Sequence, residues 1–171
     1  MYYFKNLLML TVKESYDKLL KSEKFLNKGF FCSAFIMCED HEIKSSDWQL
    51  DFYEEKSDTI TSYIVGKEVT VLEQQSKVFK EEDTSIKPLK LDNVVVGFDK
   101  VMDKVNEVIK LKHESTVKFI IILQQQEVTL WNISSFTNSF KLINFKIDAS
   151  TGRLICEEVV PLLSLDGRNE K

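Results

Sequence analysis

The chain has 171 residues, 43% of them apolar and 29% charged, with five glycines and two prolines. That composition excludes a disordered chain and gives room for one domain or two small ones. Lysine plus arginine is 23 against 27 acids, a formal charge of −4 with both signs spread along the chain. No basic stripe is left to displace counterions from nucleic acid or to meet an anionic membrane surface, so both partners are expected to be absent.

The N-terminal apolar run "LLMLTV" covers only residues 7–12. It is too short for a signal-peptide core or for a span of about 20 residues. Three cysteines, an odd count, make no disulfide framework. Cys32 and Cys38 share the run "FFCSAFIMC"; on a strand they stand roughly 20 Å apart, beyond disulfide reach. These features predict a cytoplasmic protein.

Val12, Tyr16, Leu19, Leu20 and Leu26 predict a first helix with one apolar stripe. Thr11 and Glu14 have capping-box spacing, and Gly29 suits a left-handed terminus. Strand-like runs follow at about 30–38, 47–54, 59–65 and 68–74. A charged stretch with Pro88 then reads as a linker, 77–91. Val94, Phe98, Val101, Met102, Val105, Val108 and Ile109 predict a second helix, capped by Asp92 or Asn93. Four more strand-like runs lie at about 117–124, 127–133, 139–147 and 153–159, and 164–171 reads as a flexible tail.

The two stretches match each other. "YDKLL" (16–20) matches "FDKVM" (98–102), Trp48 matches Trp131, Tyr63 matches Phe145, and Val69 and Val71 match Leu154 and Cys156, at offsets of 82 to 85. Short turns favour antiparallel meanders, since parallel pairing needs a long crossover. The expected fold is therefore α+β: two tandem α-β-β-β-β units, residues 1–76 and 92–163, each a helix on its own four-stranded antiparallel meander sheet. Ile143, Phe145 and Ile147 point into such a sheet, and Leu142, Asn144 and Lys146 point out. In the first unit Phe31, Phe35 and Met37 oppose Cys32, Ala34 and Ile36, so both faces are apolar and the second face calls for cover. Each tryptophan is expected to seal its own unit, its indole N–H finding a partner.

"KLINFKIDASTGRLICEE" (141–158) alternates to Ile147, breaks at "DASTG" and resumes at Arg153. Asp148 can accept backbone N–H groups two residues on, Thr151 can do so more weakly, and Gly152 can supply a positive φ. The markers Trp131, Phe145, Ile147, Asp148, Ala149, Thr151, Gly152 and Leu154, with Trp48 in the first stretch, resemble the PepSY domain, in which a Trp-led strand precedes a hairpin ending "vDa-x-tG-x-v". The resemblance implies a fold without catalytic residues that binds or restrains a peptidase.

Candidate chemistry is sparse. Cys38 and His41 are spaced C-x-x-H, but the one other histidine is His113, so no four-ligand zinc pattern forms and neither metal nor cofactor is expected. Cys156 matches the apolar Val71 and is expected to be buried and inert. No phosphate-cradling or nucleophile motif occurs. The favoured function is a non-catalytic module that binds a protein partner or itself, through a sheet face or a strand edge. Two rivals are a structural homodimer and a ligand carrier or enzyme with a cystatin-like pocket between helix and curved sheet, using Asp51 or Asp148 as the acid.

Overall fold

A computed structural model describes residues 9–77 and 85–163, the side chains of 73–77 excepted. The expected tail at 164–171, the start of the N-terminal apolar run and the middle of the expected linker lie outside the described residues. In chain order the elements are α1 (Val12–Leu20), β1 (Phe30–Glu39), a 3-10 helix (Asp40–Ser45), β2 (Trp48–Glu54), β3 (Thr59–Val65) and β4 (Val69–Lys77). A short 3-10 turn (Leu91–Asn93), α2 (Phe98–Leu111), β5 (Thr116–Gln125), β6 (Thr129–Thr137), β7 (Lys141–Asp148) and β8 (Leu154–Pro161) follow.

The strands do not form two sheets. They form one eight-stranded antiparallel sheet in the order β4-β3-β2-β1-β5-β6-β7-β8. This corrects the expectation of two tandem helix-plus-four-strand units. The joint is β1 on β5, in register from Ser33↔Gln124 to Glu39↔Lys118. Two separate meanders would each leave a ten-residue strand with its outer row of N–H and C=O groups unpaired. Pairing the two strands satisfies both rows at once. β1 thereby becomes a central strand, paired along both edges, and its expected apolar second face stands at the middle of the sheet.

Both helices lie on one face, and their apolar sides join the inward sheet residues in a single core. Trp48 and Trp131, each 1% exposed, do not seal separate interiors. Their ring centroids are 6.0 Å apart, and Phe98 closes the trio at 5.3 Å from Trp48 and 5.8 Å from Trp131. Each indole N–H donates to the carbonyl just before a helix cap: Trp48 to Leu10 O at 2.8 Å, Trp131 to Val96 O at 3.0 Å. The buried rings therefore also fix where the two helices start.

Local signals were mostly honoured near α1. Thr11 and Glu14 form the capping box, with Glu14 N–H on Thr11 Oγ1 and Glu14 Oε2 accepting from Thr11 N–H. The helix is shorter than its stripe implied, because it ends at Leu20, and Leu26 lies half-exposed beyond it. Gly29 does have a positive φ, +73°, but it opens β1 rather than closing α1. It sits there because a Cβ would come within 2.3 Å of Tyr53 O. The second helix starts one turn later than expected. Gly97 is its cap, and Val94 to Val96 precede it as a strap bonded to the β7–β8 turn.

Because the tryptophans share one cluster, their substitutions should not add. In urea unfolding, Trp48→Phe, Trp131→Phe and the double variant should show a coupling energy of about 0.5–1.5 kcal/mol; simple addition would indicate independent cores. Gly29→Ala should cost about 2 kcal/mol or more, from backbone strain plus the collision with Tyr53 O. A chemical denaturation midpoint unchanged by that substitution would contradict the close approach.

Candidate functional site

The "DASTG" turn is bonded to itself, as its residue types imply. Asp148 Oδ1 accepts from Ser150 N–H at 2.7 Å, Ser150 Oγ–H at 2.6 Å and Thr151 N–H at 3.2 Å. The Ser150 bonds hold the Asp148 carboxyl below its ordinary value. Gly152, at φ +72°, donates its N–H back to Asp148 O at 2.8 Å, and Thr151 Oγ1 accepts from Arg153 N–H. The turn then holds the strap before α2. Ala149 O accepts from Val95 and Val96 N–H, and Lys104 Nζ of α2 donates to Gly152 O at 2.7 Å. Asp148, Thr151 and Gly152 thus stand together, and Trp131 reaches the same assembly through Val96; Trp48 is tied to it through the Trp131 ring.

Asp51, the other candidate acid, lies on the helix-free side of the sheet. It is 9% exposed. Its carboxylate accepts from Ser33 Oγ–H at 2.8 Å, Ser62 Oγ–H at 2.6 Å and Gln49 Nε2–H at 2.8 Å. Both candidate acids are therefore occupied by neighbouring donors.

Cysteines and histidines stay apart in role. Burial first, and then the Asp51 charge, push the Cys32 thiol up to about 12. Burial chiefly, with Glu42 and Asp40, raises that of Cys38. Both are poor thiolate ligands at neutral pH. His41 is on the exposed 3-10 helix, 3.5 Å from Glu39. His113 follows α2 at φ +56°, where its N–H bonds Lys110 O and the next N–H bonds Ile109 O, a helix stop. Among the described residues no three His, Cys, Asp or Glu side chains cluster as a metal site. Cys156 is exposed, against the expectation that it is buried. A bulge at Ile155 shifts the register, so Cys156 faces Lys146 on the open side instead of entering the core.

The space between helices and sheet is filled by the aromatic trio and its neighbours. Among the described residues, recesses open where the two helices begin. One of about 290 Å³ lies between Met9–Thr11 and Val95–Lys100, and another of about 230 Å³ lies beside Leu91, Val94 and Trp131.

The larger feature is the opposite face, which no helix covers among the described residues. At the β1–β5 joint the cross-strand pairs Phe35↔Ile122 and Met37↔Ile120 stand side by side, with Met37 54% exposed. Phe136, Leu142 and Val160 form a second apolar row across β6, β7 and β8. Polar residues separate the rows, among them Asn144, which accepts from Ser134 Oγ–H at 2.7 Å. The apolar second face expected of β1 is thus half of a larger surface, which β5 completes. Its signal was present in two strands, "FFCSAFIMC" and "FIIIL", that are apolar at both parities.

No protein-family model matches the chain, and no curated protein does. Among solved structures the chain is similar to one from Clostridium difficile 630 described as a "putative lipoprotein". The two share 10% identity and a TM-score of 0.57, over 90% of this chain and 95% of that one. At that identity the likeness is one of fold.

The turn gives a prediction with a sign. Asp148 has its carboxyl lowered in the folded state, so its contribution is present above the unfolded carboxylate value and is lost as pH falls through the folded one. Asp148→Ala should cost about 1–2 kcal/mol at neutral pH, in the manner of a lost cap. The gap to the wild type should close in acid. Unfolding curves at pH 7 and pH 3 check this, and a gap that widens in acid would contradict it.

Proposed function

We propose that the chain is a non-catalytic module that binds a protein partner through the helix-free face of its sheet. The observation that carries this reading is the open apolar joint of Phe35, Met37, Ile120 and Ile122. It lies at the middle of the sheet, where a monomer would ordinarily place a second layer. The occupied carboxylates of Asp51 and Asp148 favour binding over catalysis, since an acid that already accepts two or three donors has little left to offer a substrate. The resemblance of the Asp148–Gly152 hairpin to the PepSY domain supports the same class of role, with a peptidase as one partner to examine.

Met37 is the residue on which to test it, being half-exposed and peripheral to folding. Both Met37→Glu and Met37→Arg should leave the unfolding midpoint within about 0.5 kcal/mol of wild type. Each should weaken a partner purified on the wild-type protein by tenfold or more in a pairwise reconstitution. Loss with either charge sign identifies an apolar contact. Unaltered affinity in both variants would rule out this face. A wild-type dimer in sedimentation velocity that both variants dissociate would instead make the partner a second copy.

A further inference from the structure

The sheet has two ends, and among the described residues the β8 end is open in a specific way. Ile155 to Pro161 are all exposed, with Ile155, Val159 and Val160 each more than a third accessible. Leu162 N–H bonds Phe140 O, which extends the β7–β8 ladder one pair beyond Lys141↔Pro161. Direction alternates along an antiparallel ladder. Cys156, Glu158, Val160 and Leu162 therefore turn their backbone groups toward β7, whereas Glu157, Val159 and Pro161 turn theirs outward. The free edge offers two N–H donors, at Glu157 and Val159, and three carbonyls. Pro161 has no N–H and closes one end; the bulge at Ile155 closes the other.

β8 is poorly matched to itself. A twofold centred on Glu158 sets Glu158 against its own copy, and one centred on Glu157 does the same with Glu157. A twofold centred on Val159 leaves Glu157 facing Pro161, which cannot donate. Like charges directly opposed on neighbouring strands repel, and an unmatched backbone group loses a bond. The chemistry fits a foreign strand better. Glu158 projects on the helix-free face with Cys156 and Val160 on either side, whereas Glu157 is already paired with Lys112 Nζ at 2.5 Å on the helix side.

We infer that the β8 edge accepts an extended segment of a partner protein as a ninth strand, with a lysine or arginine opposite Glu158 and apolar residues two positions to each side of it. Backbone bonds at Glu157 and Val159 supply affinity and the alternating side chains supply selectivity. The added strand continues the Phe136–Leu142–Val160 row, so the inference rests on the binding-module reading and names the partner's chemistry.

The test uses the full chain and two end-blocked peptides centred on Val-Thr-Lys-Thr-Val and Val-Thr-Glu-Thr-Val, followed by fluorescence anisotropy. The lysine peptide should bind at least tenfold more tightly than the glutamate peptide. Glu158→Lys should reverse that order. Val159→Pro, which removes an outward donor and no existing ladder bond, should abolish binding with the unfolding midpoint retained. Equal affinity for the two peptides, an order unmoved by Glu158→Lys, or binding that survives Val159→Pro would each overturn the inference. So would a wild-type dimer that Val159→Pro dissociates. If Met37→Glu loses a partner that Val159→Pro retains, the edge inference fails and the face reading stands; the reverse result sinks the face and keeps the edge.

Discussion

Everything in this molecule is organised by the backbone pairing of β1 with β5. Each strand is distant from the other in the chain, and each would be a bare edge without its neighbour. Their union places Ile36, Cys38, Phe119 and Ile121 in the same interior and aligns the two helices on a common surface. It also puts Phe35, Met37, Ile120 and Ile122 on the reverse of that joint. One hydrogen-bonded seam thus creates both the continuous core and the uncovered apolar centre behind it.

The helices are held by means that sequence periodicity does not describe. Two indoles reach the carbonyls of Leu10 and Val96. Two lysines reach turns at the far side: Lys18 Nζ bonds Gly66 O and Lys67 O, and Lys104 Nζ bonds Gly152 O. An ammonium group donates to backbone carbonyls while its methylene stem covers apolar surface. Each helix is therefore fixed at its entry by a ring and along its length by a charge, and its apolar stripe only has to supply contact area. That explains how a helix of nine residues, too short to persist alone, is kept in place.

Much of the local structure was legible. Alternation at Ile143, Phe145 and Ile147 gave the inward side of β7, and all three are buried. The Asp148 turn and the Thr11–Glu14 box followed from side-chain chemistry alone. What could not be read was the long-range pairing. Internal similarity suggests separate units, and although "FFCSAFIMC" is apolar on both sides, nothing local says which strand lies next to it. The start of α2 was misplaced for a related reason. Val94 continues an apolar stripe, but its N–H bonds Leu91 O, and the N–H groups of Val95 and Val96 bond Ala149 O in a turn some fifty residues on. Cys156 was misplaced by one extra residue at Ile155, which period-two reasoning does not detect. The apolar second face of β1 was legible, but its continuation on β5 was not, because the pairing was not.

The distance along the chain between β1 and β5 has a consequence during biosynthesis. A ribosome completes Glu39 well before it reaches Gln125. At translation rates of about 5–20 residues per second, the interval is roughly 4–17 s. Throughout it, the nascent polypeptide carries a greasy strand that can pair with β2 along one edge only. The other edge stays open to pairing with a foreign chain until the fifth strand emerges.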